Sequence, residues 1–279
     1  MEIVVAKSGG FCRGVRNAVD TALAVSPENT YIFGEIIHNP EVVKQITSRG
    51  IVMVERLEDV PENATLIIRS HGVGKDVYKK CQNRNIKILD CTCEFVRRTQ
   101  NIITEQYEQG KTIVIVGERT HPEVVGLNGC CDNSAYIFSS EKDDFSILPN
   151  GVCCVVAQTT YAKDKYEQII RGLKKLRGNK DVFFETICYT TAKRQSEAKE
   201  LAKHCDALLV IGGMNSSNTN KLYEICAKEC DKVYRLSSAK EFSWETICDC
   251  KKVGIVTGAS TPDSETQSIL QTVKQKLKA

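Results

Sequence analysis

The sequence predicts an α/β protein built as three pseudo-equivalent parallel-sheet α/β units, and three observations carry that prediction. First, an apolar run, a turn, a cysteine and a helix-like stretch occur three times: Ile3 through Cys12 into Arg13-Gly-Val-Arg16, Ile86 through Cys93 into Glu94-Phe-Val-Arg97, and Val182 through Cys188 into Tyr189-Thr-Thr-Ala192. Second, strand and helix signals alternate at about 20 to 30 residues per step, which calls for parallel strands joined by right-handed crossovers. Third, the spacing from each cysteine to the next polar loop is 26, 28 and 28 residues (Cys12 to His38, Cys93 to His121, Cys188 to Ser216).

In the first unit a helix follows Cys12 through Ala18, Val19 and Ala22, and Pro27 closes it. A strand at Tyr31-Ile-Phe-Gly34 runs into His38-Asn-Pro40, where proline suits a helix N-terminus. That helix ends near Gly50. Strands follow at Ile51 to Glu55 and Thr65 to Arg69, and the second empties into Ser70-His71-Gly72-Val-Gly74.

The second unit repeats the order. A helix runs from Cys93 to about Gln109, a strand covers Thr112 to Val116, and the turn reads Gly117-Glu-Arg-Thr-His121-Pro-Glu123-Val-Val. Gly34-Glu35…His38…Pro40-Glu41-Val-Val thus recurs one residue shorter between histidine and proline. Ala135 to Phe138 and Val152 to Ala157 are further strands, the latter ending in Gln158-Thr159-Thr160.

The third unit has a helix through Leu201, a strand at Ala207 to Ile211, and the polar run Asn215-Ser216-Ser217-Asn218, expected as a loop before a helix from Leu222 to Ala227. Val233 to Leu236 and Val253 to Thr257 supply two more strands. The latter ends in Gly258-Ala-Ser260, and a helix closes the chain. We divide the chain at 1–92, 93–187 and 188–279, with the N-terminal strand free to pair outside its own unit. If strand ends face inward about a pseudo-threefold axis, three cysteines and six polar loops reach one central cavity.

Hydrophobic residues at 42% and charged residues at 26% describe an ordinary globular chain, without low-complexity segments. No apolar run approaches the roughly 20 residues that span a bilayer, and no signal-peptide pattern opens the chain, so a cytoplasmic protein without a membrane partner is expected. A net charge of +3 with no long basic run gives nucleic-acid binding no support. Any anionic substrate must be held by local groups.

Fourteen cysteines in a cytosolic chain are expected as free thiols or metal ligands, because cytosolic thiols stay reduced. The close pairs Cys91/Cys93, Cys130/Cys131, Cys153/Cys154, Cys226/Cys230 and Cys248/Cys250 lack a C-x-x-C spacing, and most read as small buried hydrophobes. Cys12, Cys93 and Cys188 differ because they recur. Three thiolates suit either a catalytic zinc or an iron-sulfur cluster, since both tolerate an open position.

Three of the four histidines, His38, His71 and His121, fall in equivalent loops, while His204 reads as a structural residue on a helix. Hydroxyls, amides and imidazoles beside helix N-termini cradle phosphate oxygens, which makes Thr159, Thr160, Asn215, Ser216, Ser217, Asn218 and Ser260 candidates. Glu123 is the carboxylate beside a loop histidine. It would deliver a proton to a leaving hydroxyl, with Thr159 relaying and His121 orienting.

Together, Phe-Cys12-Arg-Gly-Val-Arg, Ile-His38-Asn-Pro, Arg-Ser-His71-Gly-Val, Asp-Cys-Thr-Cys93, His121-Pro-Glu123, Gln158-Thr159-Thr160, Thr-Ile-Cys188, Asn215-Ser216-Ser217-Asn218 and Gly258-Ala-Ser260 resemble the 4-hydroxy-3-methylbut-2-enyl diphosphate reductase family. The resemblance covers nearly the whole chain. It implies reductive loss of an allylic hydroxyl to give isopentenyl and dimethylallyl diphosphates, the last step of the non-mevalonate isoprenoid pathway.

It further implies three units around a central iron-sulfur site. One 4Fe-4S cluster would be held by Cys12, Cys93 and Cys188, leaving one open iron. By the same resemblance His38, His71, His121, Thr159, Ser216, Ser217, Asn218 and Ser260 bind the allylic diphosphate, Glu123, Thr159 and His121 serve catalysis, and a ferredoxin or flavodoxin donates electrons. The sequence departs from the family at Glu94, where proline is usual, and at Cys91, where a small residue is usual. Neither removes a ligand, and Thr190, where alanine is common, looks harmless. A zinc hydrolase with Glu123 as base, or a phosphometabolite-binding protein whose cysteines sense iron, are the rival readings.

Overall fold

The structure is a computed structural model that describes residues 1–237 and 242–276. The chain opens with β1 (Glu2–Val5), α1 (Arg13–Ala24), β2 (Thr30–Phe33), α2 (Pro40–Thr47), β3 (Val52–Val54), β4 (Thr65–Ile68), α3 (Lys75–Asn83) and β5 (Lys87–Asp90). It continues through α4 (Glu94–Glu108), β6 (Thr112–Val116), α5 (Pro122–Asn128), β7 (Tyr136–Phe138), β8 (Cys153–Ala157), α6 (Lys163–Arg177) and β9 (Val182–Phe183). The last third holds α7 (Tyr189–Ala202), β10 (Ala207–Ile211), α8 (Ser217–Cys226), β11 (Val233–Leu236), β12 (Lys252–Thr257) and α9 (Asp263–Lys276).

The strands form three four-stranded sheets, ordered β3-β2-β4-β5, β7-β6-β8-β9 and β11-β10-β12-β1, and every pairing is parallel. The three orders are one pattern. In each sheet the strand that follows the cysteine helix lies inside, the next lies at one edge, and the strand before a cysteine lies at the other edge. In the third sheet that last place is taken by β1, so the N-terminal strand joins the sheet of the C-terminal third. Registers end nearly flush, as Phe33↔Ile68, Val116↔Ala157 and Ile211↔Thr257 show, so the loops of each sheet leave along one line.

Inner strands read as unbroken apolar runs because both faces are covered. All five residues of β8 and of β10 are buried. In the third sheet Leu208, Val210 and Val256 pack on Ala198 of α7 and Leu222 of α8. The alternate residues Leu209, Val253 and Ile255 pack on Ile269 and Val273 of α9. Each such side chain contributes roughly 1.5–3 kcal/mol of hydrophobic stabilisation.

Two compact bodies result. One comprises Met1–Arg16, Ile37–Val43 and the described residues from Tyr189 onward, and the other Asn17–Ile36 and Lys44–Cys188. Among the described residues no helix is long and apolar enough to cross a membrane.

Two sequence expectations change. Helix α8 starts at Ser217, not near Leu222, because Ser216 caps it by accepting a hydrogen bond from Thr219 N. His204 lies past the end of α7, exposed and 3.0 Å from Glu200, so it is structural but not helical.

In the larger body, glycines let the loop after β4 approach α5 and the short turn after it. A Cβ on Gly129 would lie 2.7 Å from the Gly74 Cα, and one on Gly126 would lie 3.1 Å from the Gly72 carbonyl. Neither glycine can accept a side chain without moving backbone. Gly129→Ala should therefore cost about 1–3 kcal/mol through overpacking, read as a lower urea midpoint at unchanged slope.

Candidate active site

Three cysteine amides make the same bond. Cys93 N donates to Ser70 O at 3.0 Å, Cys188 N to Thr159 O at 2.9 Å, and Cys12 N to Ala259 O at 3.1 Å. Each acceptor is the second residue past the third strand of a sheet (β4, β8, β12), and each cysteine immediately precedes a helix. A helix N-terminus favours negative charge, which suits a thiolate.

The other cysteines have different surroundings. Cys12, Cys93 and Cys188 are half-buried, whereas Cys81, Cys91, Cys130, Cys131, Cys153, Cys154, Cys226 and Cys250 are buried. Burial pushes the Cys130 thiol up to about 11 and those of Cys154 and Cys226 up to about 12, which holds them as thiols. Burial also raises Cys205, and the Cys230 sulfur contacts backbone carbonyls at 3.6–3.7 Å. Placement, exposure and soft donor chemistry make the recurring three the set that fits a metal-sulfur group.

In the larger body, His121 caps α5, and its Nδ1 accepts from Glu123 N at 3.1 Å. The neutral ring therefore carries its proton on Nε2, leaving that nitrogen a donor. His71 meets His121 edge to face, with ring centroids 5.3 Å apart. The glycine contacts described above bring these loops together, and Gln100 of α4 adds a bond from Nε2 to Val73 O at 3.0 Å.

Glu123 is 1% exposed. Its Oε1 accepts from Thr159 N at 2.6 Å and its Oε2 from Thr159 Oγ1 at 2.8 Å. Burial pushes the carboxyl up to about 7, against the hydrogen bonds from Thr159 that favour the anion. A carboxylic acid is thus held ready to donate near neutral pH, with one hydroxyl as its outlet.

In the smaller body, close approaches assemble the polar residues. A Cβ on Gly258 would lie 2.2 Å from Thr219 Oγ1, and one on Gly213 would lie 2.0 Å from the His38 carbonyl. The loops after β10 and β12 thereby close on the first turn of α8, with the His38 segment against them.

Asn218 is 4% exposed and Ser260 6% exposed. Both amide atoms of Asn218 and the Ser260 hydroxyl are buried without a hydrogen-bond partner among the described residues. Buried polar atoms of this kind are costly unless a polar ligand engages them. Ser217, in the first turn of α8, is buried beside Asn218, and Ser216, as helix cap, keeps its hydroxyl proton to donate.

The sequence passed over several residues that hold these loops. Asn39 Oδ1 accepts from Glu41 N and Val42 N, while its amide donates to Glu265 Oε2 at 3.0 Å. Glu265 is raised by burial. Arg194 of α7 is 4% exposed and binds the carbonyls of Gly9, Gly10 and Thr257. The His-Asn-Pro run gave a weak signal for Asn39, whereas nothing local marks Arg194 or Glu265.

Unfolded Glu123 releases its proton near 4.5, and the folded residue keeps it to about 7. Between those values the folded state binds more protons, so its stability falls as pH rises through the window. Glu123→Gln lacks the titration. Relative to wild type it should gain about 3 kcal/mol between pH 4.5 and pH 8. Urea midpoints across that range read the difference, and one that does not vary with pH would show an ordinary carboxyl.

The comparisons with known proteins agree along the full chain. A family model described as LytB protein matches residues 3–274. A relative from Thermoanaerobacter sp. (strain X514), named 4-hydroxy-3-methylbut-2-enyl diphosphate reductase, is 39% identical over 98% of this chain and 97% of its own. The solved E-1-hydroxy-2-methyl-but-2-enyl-4-diphosphate reductase of Plasmodium falciparum is similar at a TM-score of 0.89 and 25% identity, covering 97% of this chain and 87% of that one. A solved (E)-4-hydroxy-3-methyl-but-2-enyl diphosphate reductase, described as the terminal enzyme of the non-mevalonate pathway, matches at a TM-score of 0.70 and 32% identity over 99% of this chain and 100% of its own. With the three-sheet fold and the repeated cysteine amide bond, these matches establish that the chain belongs to the LytB protein family.

Proposed function

We propose that the chain reduces 4-hydroxy-3-methylbut-2-enyl diphosphate to isopentenyl and dimethylallyl diphosphate, the last step of the non-mevalonate pathway. Family membership and the names of its relatives support the reaction class. The observation that carries the catalytic assignment is the buried Glu123 carboxyl, held between two groups of Thr159 and raised to about 7. Breaking an allylic C–O bond needs a proton on the oxygen, since hydroxide leaves poorly. The balanced reaction takes two electrons and two protons and releases water.

Cys12, Cys93 and Cys188, one from each of the units 1–92, 93–187 and 188–279, would hold a 4Fe-4S cluster with one iron free of cysteine. When bound, that cluster supplies the electrons, received from a ferredoxin or flavodoxin in the cytoplasm. The chain's own groups do the rest. Glu123, when protonated on Oε2, donates to Thr159 Oγ1 in the reverse of the bond that its carboxylate accepts, and that hydroxyl passes a proton towards the leaving hydroxyl. His121 Nε2, fixed as a donor by the bond at Nδ1, binds anionic oxygen together with His38 and His71. Asn218 and Ser260 contribute buried donors to the diphosphate, with Ser216 and Ser217 beside them at the helix N-terminus.

An anaerobic assay with a strong reductant and the diphosphate tests the reading, and a colourless, iron-free protein that turns nothing over would overturn it. Single Cys12→Ser, Cys93→Ser and Cys188→Ser variants should lose iron, whereas Cys91→Ser and Cys130→Ser should keep it. A Cys91→Ser protein without iron beside an iron-replete Cys93→Ser would move the second ligand. In Glu123→Gln, iron content and substrate affinity should persist while kcat falls about a hundredfold or more. Wild-type kcat would remove the acid role.

A further inference from the structure

We propose that Arg194 and Glu197 are positioning residues for Cys12, holding the loop Lys7–Gly10 and the end of β12 in one fixed arrangement. The proposal rests on the reading of Cys12 as a metal ligand. Past Ala6, whose N–H still donates to Ile255 O of β12 at 2.8 Å, the segment Lys7–Gly10 lies outside every helix and strand, with Lys7 and Gly9 exposed. The segment Lys7–Gly10 itself carries no large apolar side chain. Its main chain is instead bound at successive peptides by one face of α7.

Arg194 Nη1 donates to Thr257 O at 3.0 Å, and Nη2 donates to Gly10 O at 2.7 Å and Gly9 O at 3.4 Å. One turn on, the Glu197 carboxylate accepts from Lys7 N, from Ser8 N at 3.0 Å and from Ser8 Oγ. Thr257 Oγ1 closes the set by accepting from Gly10 N at 3.1 Å. Residues three apart share a helix face, so both side chains reach the loop from one surface.

The guanidinium does what a point charge cannot. Its planar fork spans the carbonyls of two different segments, one leading to Cys12 and one leading to Ala259 and Ser260. Two residues past these contacts, Cys12 N binds Ala259 O. The Arg194 fork therefore fixes both partners of that bond. A loosened fork would leave the Cys12 sulfur free to leave its ligating position without unfolding the sheet.

The variants are Arg194→Lys and Glu197→Gln. Val253→Ala, a cavity at the opposite end of β12, controls for lost stability in the same body. In the iron-loaded full chain, iron release to a chelator should be about 10- to 100-fold faster for Arg194→Lys than for wild type, the range for altered support of a metal ligand. Glu197→Gln should fall between. In reduced, iron-free protein, Cys12 alkylation by iodoacetamide, mapped by mass spectrometry and normalised to exposed Cys248, should rise about fivefold, the factor one lost hydrogen bond gives.

Val253→Ala should change neither rate at an equal loss of thermal stability. Wild-type rates in both Arg194→Lys and Glu197→Gln, or equal changes in Val253→Ala, would overturn the proposal. If wild-type protein held no iron, the cluster reading would fail, and the alkylation rates would still decide whether the clamp sets Cys12.

Discussion

A single backbone hydrogen bond, made three times, organises this molecule. Each of the half-buried Cys12, Cys93 and Cys188 offers its amide to the carbonyl two residues past the third strand of a sheet. Parallel pairing makes the bond repeatable, because it sends the loops of a sheet out along one edge and starts helices there. The bond fixes the chain at the place where a strand becomes a helix, and the thiol follows from it. Ser70 precedes His71, Thr159 holds Glu123, and Ala259 precedes Ser260, so the acceptors place the remaining chemistry in the same stroke.

The polar groups around this bond pull against stability. Glu123 is buried at a cost that grows as pH rises from about 4.5 to about 7, and Asn218 carries two buried amide atoms without partners among the described residues. Natural proteins accept such local conflicts where a site needs them. The surrounding sheets supply the compensation, with β8 and β10 buried along their whole length.

Much of this was legible in the sequence. The three cysteines, the strand after each helix and the histidine loops follow from apolar runs punctuated by glycine, proline and polar residues, a local signal. Asn215 to Asn218 misled, because serine and asparagine are weak helix formers that equally read as loop or cap. The crossover helices α3 and α6 were passed over. Arg194 and Glu197 were illegible in principle. A charged pair on a helix reads as a solvated face, and only the arrival of a segment more than 180 residues distant in sequence gives it partners. Proline, lysine and glutamate patterns cannot report such a contact.

The pairing of β1 with β12 has a consequence for how the protein is made. Glu2 lies opposite Lys252, and among the described residues β1 has no other strand neighbour. At about 5–20 residues per second of synthesis, the first strand waits roughly 12 to 50 s for its partner. The sheets of residues 30–183 have all their strands well before then and can form on the ribosome. The Cys12 loop cannot, since the α7 and β12 groups that hold it emerge after both of those sheets. Ordering of the Cys12 loop is thereby tied to the synthesis of β12, long after the loop itself has left the ribosome.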